Sequence, residues 1–206
     1  LLPERYVCCT GESQVQGTHL ADWIEQLVAE STGKRGRGVL PVALPADAPE
    51  LHGDLPGNAF AVDLAPAPGA GPVPALTIEV SAPLGAQFLL WEAATAVLGR
   101  LIGVDPFDQP DVESSKAATR ELLERGSSAE LSEEPLLEAD DALRALRAAL
   151  DPRGYVAIQA YLDRATRAPL AELRARLAGT LGVPVALGLG PRYLHSTGPV
   201  HKGGPH

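Results

Sequence analysis

The chain has 206 residues, of which 45% are hydrophobic and 21% charged, and its formal net charge is -9. This composition is ordinary for a folded globular protein and excludes disorder throughout. The negative charge argues against nucleic acid as the main partner, because phosphate backbones are bound through clustered cations. The sequence has neither an apolar run long enough to cross a bilayer nor a secretion signal, so we expect a cytoplasmic protein.

A strand and a helix are predicted first. Residues 5–10 form a β-prone run, and the apolar residues of the next segment recur at helical spacing up to Glu30. Between residues 36 and 74 glycine and proline are abundant, which predicts loops. Short strands are predicted within and just after this region, at 39–44, 59–64 and 75–80.

Two helices are predicted next. Residues 85–102 are apolar nearly all round, which predicts a helix buried within the protein, with Glu92 as a buried structural carboxylate. A second helix is predicted from Gln109 to Arg125. Pro110 is tolerated in the first turn of a helix, and a glycine such as Gly126 is common directly after the last turn.

After a small, polar and acidic connector at 127–135, helical and strand patterns resume. They predict helices at 136–150 and 170–181 and strands at 155–162 and 183–189. Strands that alternate with helices indicate a mostly parallel sheet covered by helices on both faces. The predicted fold class is therefore α/β, arranged as a three-layer sandwich.

The chain has only three lysines against fourteen arginines, and each lysine lies in a short polar motif. These motifs are Glu30-Ser31-Thr32-Gly33-Lys34, the segment that ends at Lys116, and the segment around Lys202. Arginine cannot give up its proton near neutral pH or act as a compact ammonium group, so these sites can require lysine itself. The alternative is chance in an arginine-rich composition, since most lysines are solvated surface groups.

We expect no metal and no nucleotide cofactor. His195 and His201 are six residues apart and have no cysteine or carboxylate companions at the spacing of zinc ligands. The glycines of their segment allow close backbone approach, which suits closure over an anion. Cys8 and Cys9 are interpreted as core thiols, because adjacent residues of a strand point to opposite faces.

Three segments together resemble one enzyme family. The motif Glu30-Ser31-Thr32-Gly33-Lys34 resembles the acidic motif of glucose-6-phosphate isomerases. Trp91-Glu92, followed by the segment from Asp105 to Lys116, resembles the C-terminal signature of that family. The ending at 190–205 is similar to the tail of the bacterial branch in which the isomerase is fused behind a transaldolase. The resemblance covers residues 5–126 and this tail.

The resemblance implies a role for each motif. Glu30 would be the general base that moves a proton between C2 and C1 of the sugar through a cis-enediol. Lys116 would assist ring opening, and Gln109 would contact the substrate or its phosphate from a helix N-terminus. His52 is the candidate for the family's catalytic histidine, with a plain loop histidine as the alternative. Further substrate contacts are expected from Ser31, Thr32, Lys34, His195, His201 and Lys202.

The resemblance also implies an architecture. Residues 1–126 would be the core of a flavodoxin-like C-terminal sugar-isomerase (SIS) domain, and 127–206 an αβαβ extension with the His/Gly-rich tail. The family's N-terminal SIS domain, which carries the phosphate loop, is not in this sequence, so we expect a fragment of a homodimeric enzyme that is nearly inactive alone. The alternatives are a non-catalytic sugar-phosphate-binding module and a dimerisation module, neither of which needs a proton-transfer base.

Overall fold

A four-stranded parallel sheet organises the larger of two structural units. The computed structural model describes residues 6–12, 19–64, 76–108, 110–124, 136–163 and 167–205. The contacts of the chain separate Leu1–Phe107 with Asp151–His206 as the larger unit from Asp108–Leu150 as the smaller one. The predicted division into 1–126 and 127–206 concerns family domains and stays a prediction.

All strand pairs among the described residues are parallel. The larger sheet has the order β2-β1-β3-β4 and is formed by β1 (Tyr6–Glu12), β2 (Val39–Pro45), β3 (Ala59–Asp63) and β4 (Thr77–Glu79). A separate two-stranded sheet pairs β5 (Val156–Ala160) with β6 (Val185–Leu189).

Six α-helices occur in the described part of the chain. The larger unit contains α1 (Leu20–Thr32), α2 (Leu84–Ile102), α5 (Arg167–Leu181) and α6 (Gly198–Gly203). The smaller unit contains α3 (Pro110–Glu124) and α4 (Ala139–Ala149). Short 3-10 helices occur at Pro49–Leu51 and Arg192–His195. The α/β class is confirmed, and the three-layer arrangement stays a prediction.

Alternating side chains of the strands enter two apolar clusters. One cluster contains Leu40, Val42 and Leu44 of β2, with Ala29 of α1 and Val200 of α6. The other is built from α1, β2 and β3, and includes Leu20, Ile24, Val28, Val39 and Val62. Successive strand side chains point to opposite faces, so the clusters lie on opposite faces of the sheet. Burying each such side chain contributes about 1.5–3 kcal/mol, which fixes α1 on the sheet.

The prediction that α2 is buried is wrong. The side chains of Leu89 and Leu101 are 69% and 68% exposed, and Glu92 is exposed too, so it is not a buried structural carboxylate. The residues of α2 that are buried are Gln87, Thr95 and Gly99. An apolar composition shows that a helix avoids water but not which surface covers it. None of the described helices is both long and apolar enough to span a bilayer.

The C-terminal tail, residues 190–205, returns to the end of α1. The amide of Gly36 donates a hydrogen bond of 2.8 Å to the carbonyl oxygen of Gly203. Val200 packs against Gly33 so closely that a Cβ built on Gly33 would lie 2.5 Å from the Val200 amide nitrogen. Only glycine therefore fits at position 33 while α6 keeps this position.

We expect Gly33→Ala to lower the free energy of unfolding by about 1–3 kcal/mol, because the added methyl group meets backbone atoms of Val200 and forces α6 away. Gly57→Ala is the matched control, since a Cβ at Gly57 has no atom within 4 Å. Urea denaturation of both variants measures the difference. Equal unfolding free energies for the two variants would contradict the close packing of the tail.

Candidate functional site

Glu30 lies in the last turn of α1, close to the amino end of β2. Its side chain is half-buried, and its Oε2 accepts a hydrogen bond of 3.5 Å from Nε2 of Gln26. Ligands of open parallel sheets usually bind at the carboxyl ends of the strands and at helix N-termini. The acidic motif therefore lies near the amino ends of the strands, at the C-terminus of a helix, and not at the carboxyl ends where ligands usually bind.

The residues that follow Glu30 form the junction between α1 and β2. Thr32 is fully buried, and its hydroxyl donates to the carbonyl of Val28 at 2.7 Å and accepts from the amide of Val39 at 3.1 Å. Ser31 is half-buried. The hydroxyl of Thr32 thus fastens the end of the helix to the start of the strand.

Lys34 links the acidic motif to the second motif, which is the segment from Asp105 to Lys116. Its side chain is only 2% exposed, and Nζ donates a hydrogen bond of 2.8 Å to the carbonyl oxygen of Asp105. The guanidinium of Arg37 donates to the carbonyl of Ile102 at the end of α2. Cations are favourable at the C-terminus of a helix, because its unpaired carbonyl groups carry partial negative charge. Arg37 therefore holds the end of α2, and Lys34 holds the segment that follows it.

The predicted tail residues have different environments. His195 and Lys202 are exposed, whereas Nδ1 of His201 and the hydroxyl of Tyr155 are hydrogen-bonded at 2.7 Å. Burial lowers the pKa of His201, which favours a neutral imidazole near pH 7. Lys202 is therefore the better candidate for a cationic anion contact in α6.

The remaining predicted site residues are His52, Lys116 and Gln109. His52 is exposed in the loop after β2, with Nε2 2.8 Å from the carbonyl oxygen of Ala46. Lys116 is exposed on α3, in the smaller unit. Gln109 lies outside the described residues. A shared site for Glu30, Lys116, Gln109 and His52 stays a prediction.

A buried carboxyl group that the sequence analysis missed lies on the same helix. Glu25 is 6% exposed, and burial raises its pKa to about 7, although the nearby positive charge of Arg192 opposes this. Nη1 of Arg192 lies 3.3 Å from Oε1 of Glu25, and Nη2 donates to the carbonyl of Asp22 at 2.7 Å. The sequence signal was the spacing of four that Glu25 shares with the buried Ala21 and Ala29.

A cavity of about 320 Å³ lies beside Glu25, near the carboxyl end of β2. Its lining combines both signs of charge and includes Asp22, Glu25, Asp47, Arg167 and Arg174. Arg174 is itself buried and pairs with Glu50 at 2.6 Å. Within the described ranges, no three His, Cys, Asp or Glu side chains are grouped so as to hold a metal ion.

Comparison with known proteins gives one relevant similarity. No protein-family model and no solved structure match the chain. The chain is 30% identical over 155 residues to a curated protein named glucose-6-phosphate isomerase from Heliobacterium modesticaldum. The alignment covers 51% of this chain and 34% of the relative, so the chain spans about a third of the length of that protein.

We expect Lys34→Met to lower the free energy of unfolding by about 1–3 kcal/mol, because it keeps the apolar stem but leaves the Asp105 carbonyl without its ammonium donor. Lys202→Met removes an exposed ammonium group and is the control. Urea denaturation compares them. A Lys34→Met variant as stable as the control would show that the buried ammonium does not hold the turn.

The raised pKa of Glu25 predicts a pH dependence of stability. Between its ordinary value of 4.5 and about 7 the folded protein keeps a proton that the unfolded chain loses, so this stabilisation is full below pH 4.5 and lost as the pH rises through about 7. The amide of Glu25→Gln cannot ionise. The stability of this variant relative to wild type should increase by about 2–3 kcal/mol between pH 5 and pH 8.

Urea denaturation at both pH values measures this difference. The control is Glu172→Gln, which replaces an exposed glutamate of α5. A Glu25→Gln effect that is the same at both pH values would mean that Glu25 does not retain its proton in the folded state.

Proposed function

We propose that this chain is the C-terminal part of a glucose-6-phosphate isomerase, an enzyme that interconverts glucose 6-phosphate and fructose 6-phosphate. The proposal rests on one observation above others: three segments that resemble that family, far apart in the sequence, have contacts at one turn. Lys34 of the acidic motif contacts Asp105 of the second motif, and Gly36 contacts Gly203 of the tail. The similarity to a curated isomerase supports the same assignment.

In the proposed reaction, Glu30 acts as the general base. Its carboxylate takes the proton from C2 of the open-chain aldose while O1 takes up a proton, which gives a cis-enediol. It then returns the proton to C1 while the O2 hydroxyl loses its own proton, which gives the ketose. A carboxylate held within hydrogen-bond reach can move a proton next to a carbonyl group in this way. The half-buried position of Glu30 in the last turn of a packed helix supports this role, because such a group is both fixed and accessible.

The remaining predicted residues complete the proposed site. Lys116 would supply a proton to the ring oxygen during ring opening, with His52 as the candidate histidine for the same step. Gln109 directly precedes α3, whose free amide groups would favour the substrate phosphate. Lys202 and His195 are exposed tail residues suited to the same anion. Ser31, Thr32, Lys34 and His201 are the other proposed contacts, and no cofactor is needed.

We also propose that further protein covers α2. Its exposed side chains include several large apolar ones, Phe88, Leu89, Leu90, Val97 and Leu101. Several large apolar side chains exposed on one helix are typical of an interaction site. The proposed partners are an N-terminal SIS domain that carries the phosphate loop, preceded in the fused branch by a transaldolase domain, and a second copy of the isomerase. The proposed location is the cytoplasm.

The alternative is a non-catalytic sugar-phosphate-binding or dimerisation module. One observation favours it, namely that Thr32, Lys34 and His201 already have hydrogen bonds within the fold. Side chains that are already hydrogen-bonded within the fold are better suited to a structural role than to contact with a substrate. This alternative needs no base at position 30.

The two functions differ in what Glu30→Gln does to a protein that contains this chain and an N-terminal SIS domain. We expect the variant to lose turnover by about 100- to 10,000-fold, because the amide cannot accept the proton, while fructose 6-phosphate still binds. Coupled isomerase assays and calorimetric titration measure these quantities. Glu172→Gln, an exposed control, should retain full turnover.

If Glu30→Gln keeps its turnover, the base lies elsewhere. If fructose 6-phosphate binds to the wild-type protein but is not converted, the chain belongs to a non-catalytic module instead.

A further inference from the structure

We infer that Arg192 is a positioning residue that holds the C-terminal tail along α1 and against the turn behind Glu30. The inference rests on the proposed function, in which Glu30 is the base and the tail contacts the substrate. Arg192 itself has no proposed contact with the sugar. Its effect would pass through the tail.

Arg192 attaches the start of the tail to the N-terminal half of α1. Its guanidinium contacts two residues of that helix: Nη2 donates to the Asp22 carbonyl at 2.7 Å, and Nη1 lies 3.3 Å from Oε1 of Glu25 and 3.6 Å from Oδ1 of Asp22. A planar guanidinium presents several donors in a fixed geometry, whereas a lysine offers one compact charge. Arginine is therefore suited to contact both residues at once.

The end of the tail is attached at the other end of α1. The Gly36 amide donates to Gly203, and Val200 packs against Gly33. Residues 25 and 33 are about 12 Å apart along the helix axis at 1.5 Å per residue. The tail therefore contacts both ends of the helix that carries Glu30.

The position of α6 depends on these attachments. A helix of six residues is not stable by itself, because few backbone hydrogen bonds offset the cost of nucleation. Its other contacts include the burial of Val200 in the core and the His201–Tyr155 hydrogen bond. Loss of Arg192 removes the attachment at the start of the tail and leaves the Asp22 carbonyl and the Glu25 carboxyl group without this donor, so we expect the tail to separate from α1 more often.

Hydrogen exchange on the 206-residue chain tests the attachment without any isomerase activity. In Arg192→Gln we expect the backbone amides of Gly36 and of residues 200–204 to exchange at least about tenfold faster than in wild type, while those of β2 and β3 keep their rates. Arg192→Lys should give an intermediate rate, because lysine can keep one of the two contacts. Arg176→Gln removes an exposed arginine of α5 and should change none of these rates.

Wild-type exchange rates at Gly36 and residues 200–204 in Arg192→Gln would overturn the inference. Equal acceleration at every amide would also count against it, because that result indicates general destabilisation and no specific hold on the tail.

Kinetics of a protein that contains this chain and an N-terminal SIS domain test the consequence for the substrate. In Arg192→Gln we expect the KM for fructose 6-phosphate to rise about tenfold, because a displaced tail no longer presents Lys202 to the phosphate. Partial unfolding would lower the apparent kcat but leave KM unchanged. An unchanged KM would refute the positioning of the substrate contact.

The experiments distinguish failure of the proposed function from failure of the role inferred for Arg192. If Glu30→Gln retains turnover while Arg192→Gln shows the expected exchange, the proposed function is wrong and the attachment of the tail stands. If Glu30→Gln loses turnover while Arg192→Gln behaves as wild type in both experiments, the proposed base stands and the role of Arg192 is wrong.

Discussion

The turn between α1 and β2 depends on a buried ammonium group. Lys34 is 2% exposed, so its charge must be balanced by acceptors within the protein, and the Asp105 carbonyl supplies one of them at 2.8 Å. This requirement fixes the segment after α2 beside the turn. With Gly36 hydrogen-bonded to the tail, the residues that follow Glu30 are held by two distant parts of the chain. The position of the proposed base, Glu30, therefore depends on the contacts of Lys34 and Gly36 in the turn that follows it.

Two glutamates of α1 have different environments. Glu25 is nearly fully buried beside an arginine, and its pKa is raised to about 7, whereas Glu30 is half-buried in the last turn. A carboxyl group that titrates near neutral pH is often found at a functional site, but buried structural clusters perturb pKa values too. Because Glu25 contacts Arg192 of the tail, we assign Glu25 to a buried structural cluster. Glu30 keeps the proposed catalytic role.

The exposed surface of α2 and the similarity to an isomerase are consistent with each other. The chain spans about a third of the length of the relative it matches, and α2 carries exposed leucines that a soluble protein usually covers. The proposed partners would use this surface. The roles of Lys116 and Gln109 depend on the smaller unit, and their relation to Glu30 stays a prediction.

The sequence by itself determined the order of the strands and helices up to residue 189, because apolar periodicity and helix signals are local properties of the chain. The alternation of strands and helices also indicated parallel pairing, but only the tertiary structure divided the strands between two sheets and formed α6. The sequence also indicated Glu30 and Lys34 as parts of one motif. Only the tertiary structure decided that α2 is exposed, since a local pattern does not show which surface is available to cover it. The Lys34–Asp105 and Arg192–Glu25 contacts join residues 71 and 167 positions apart. Such contacts arise from the folding of the chain in space, and no local spacing encodes them.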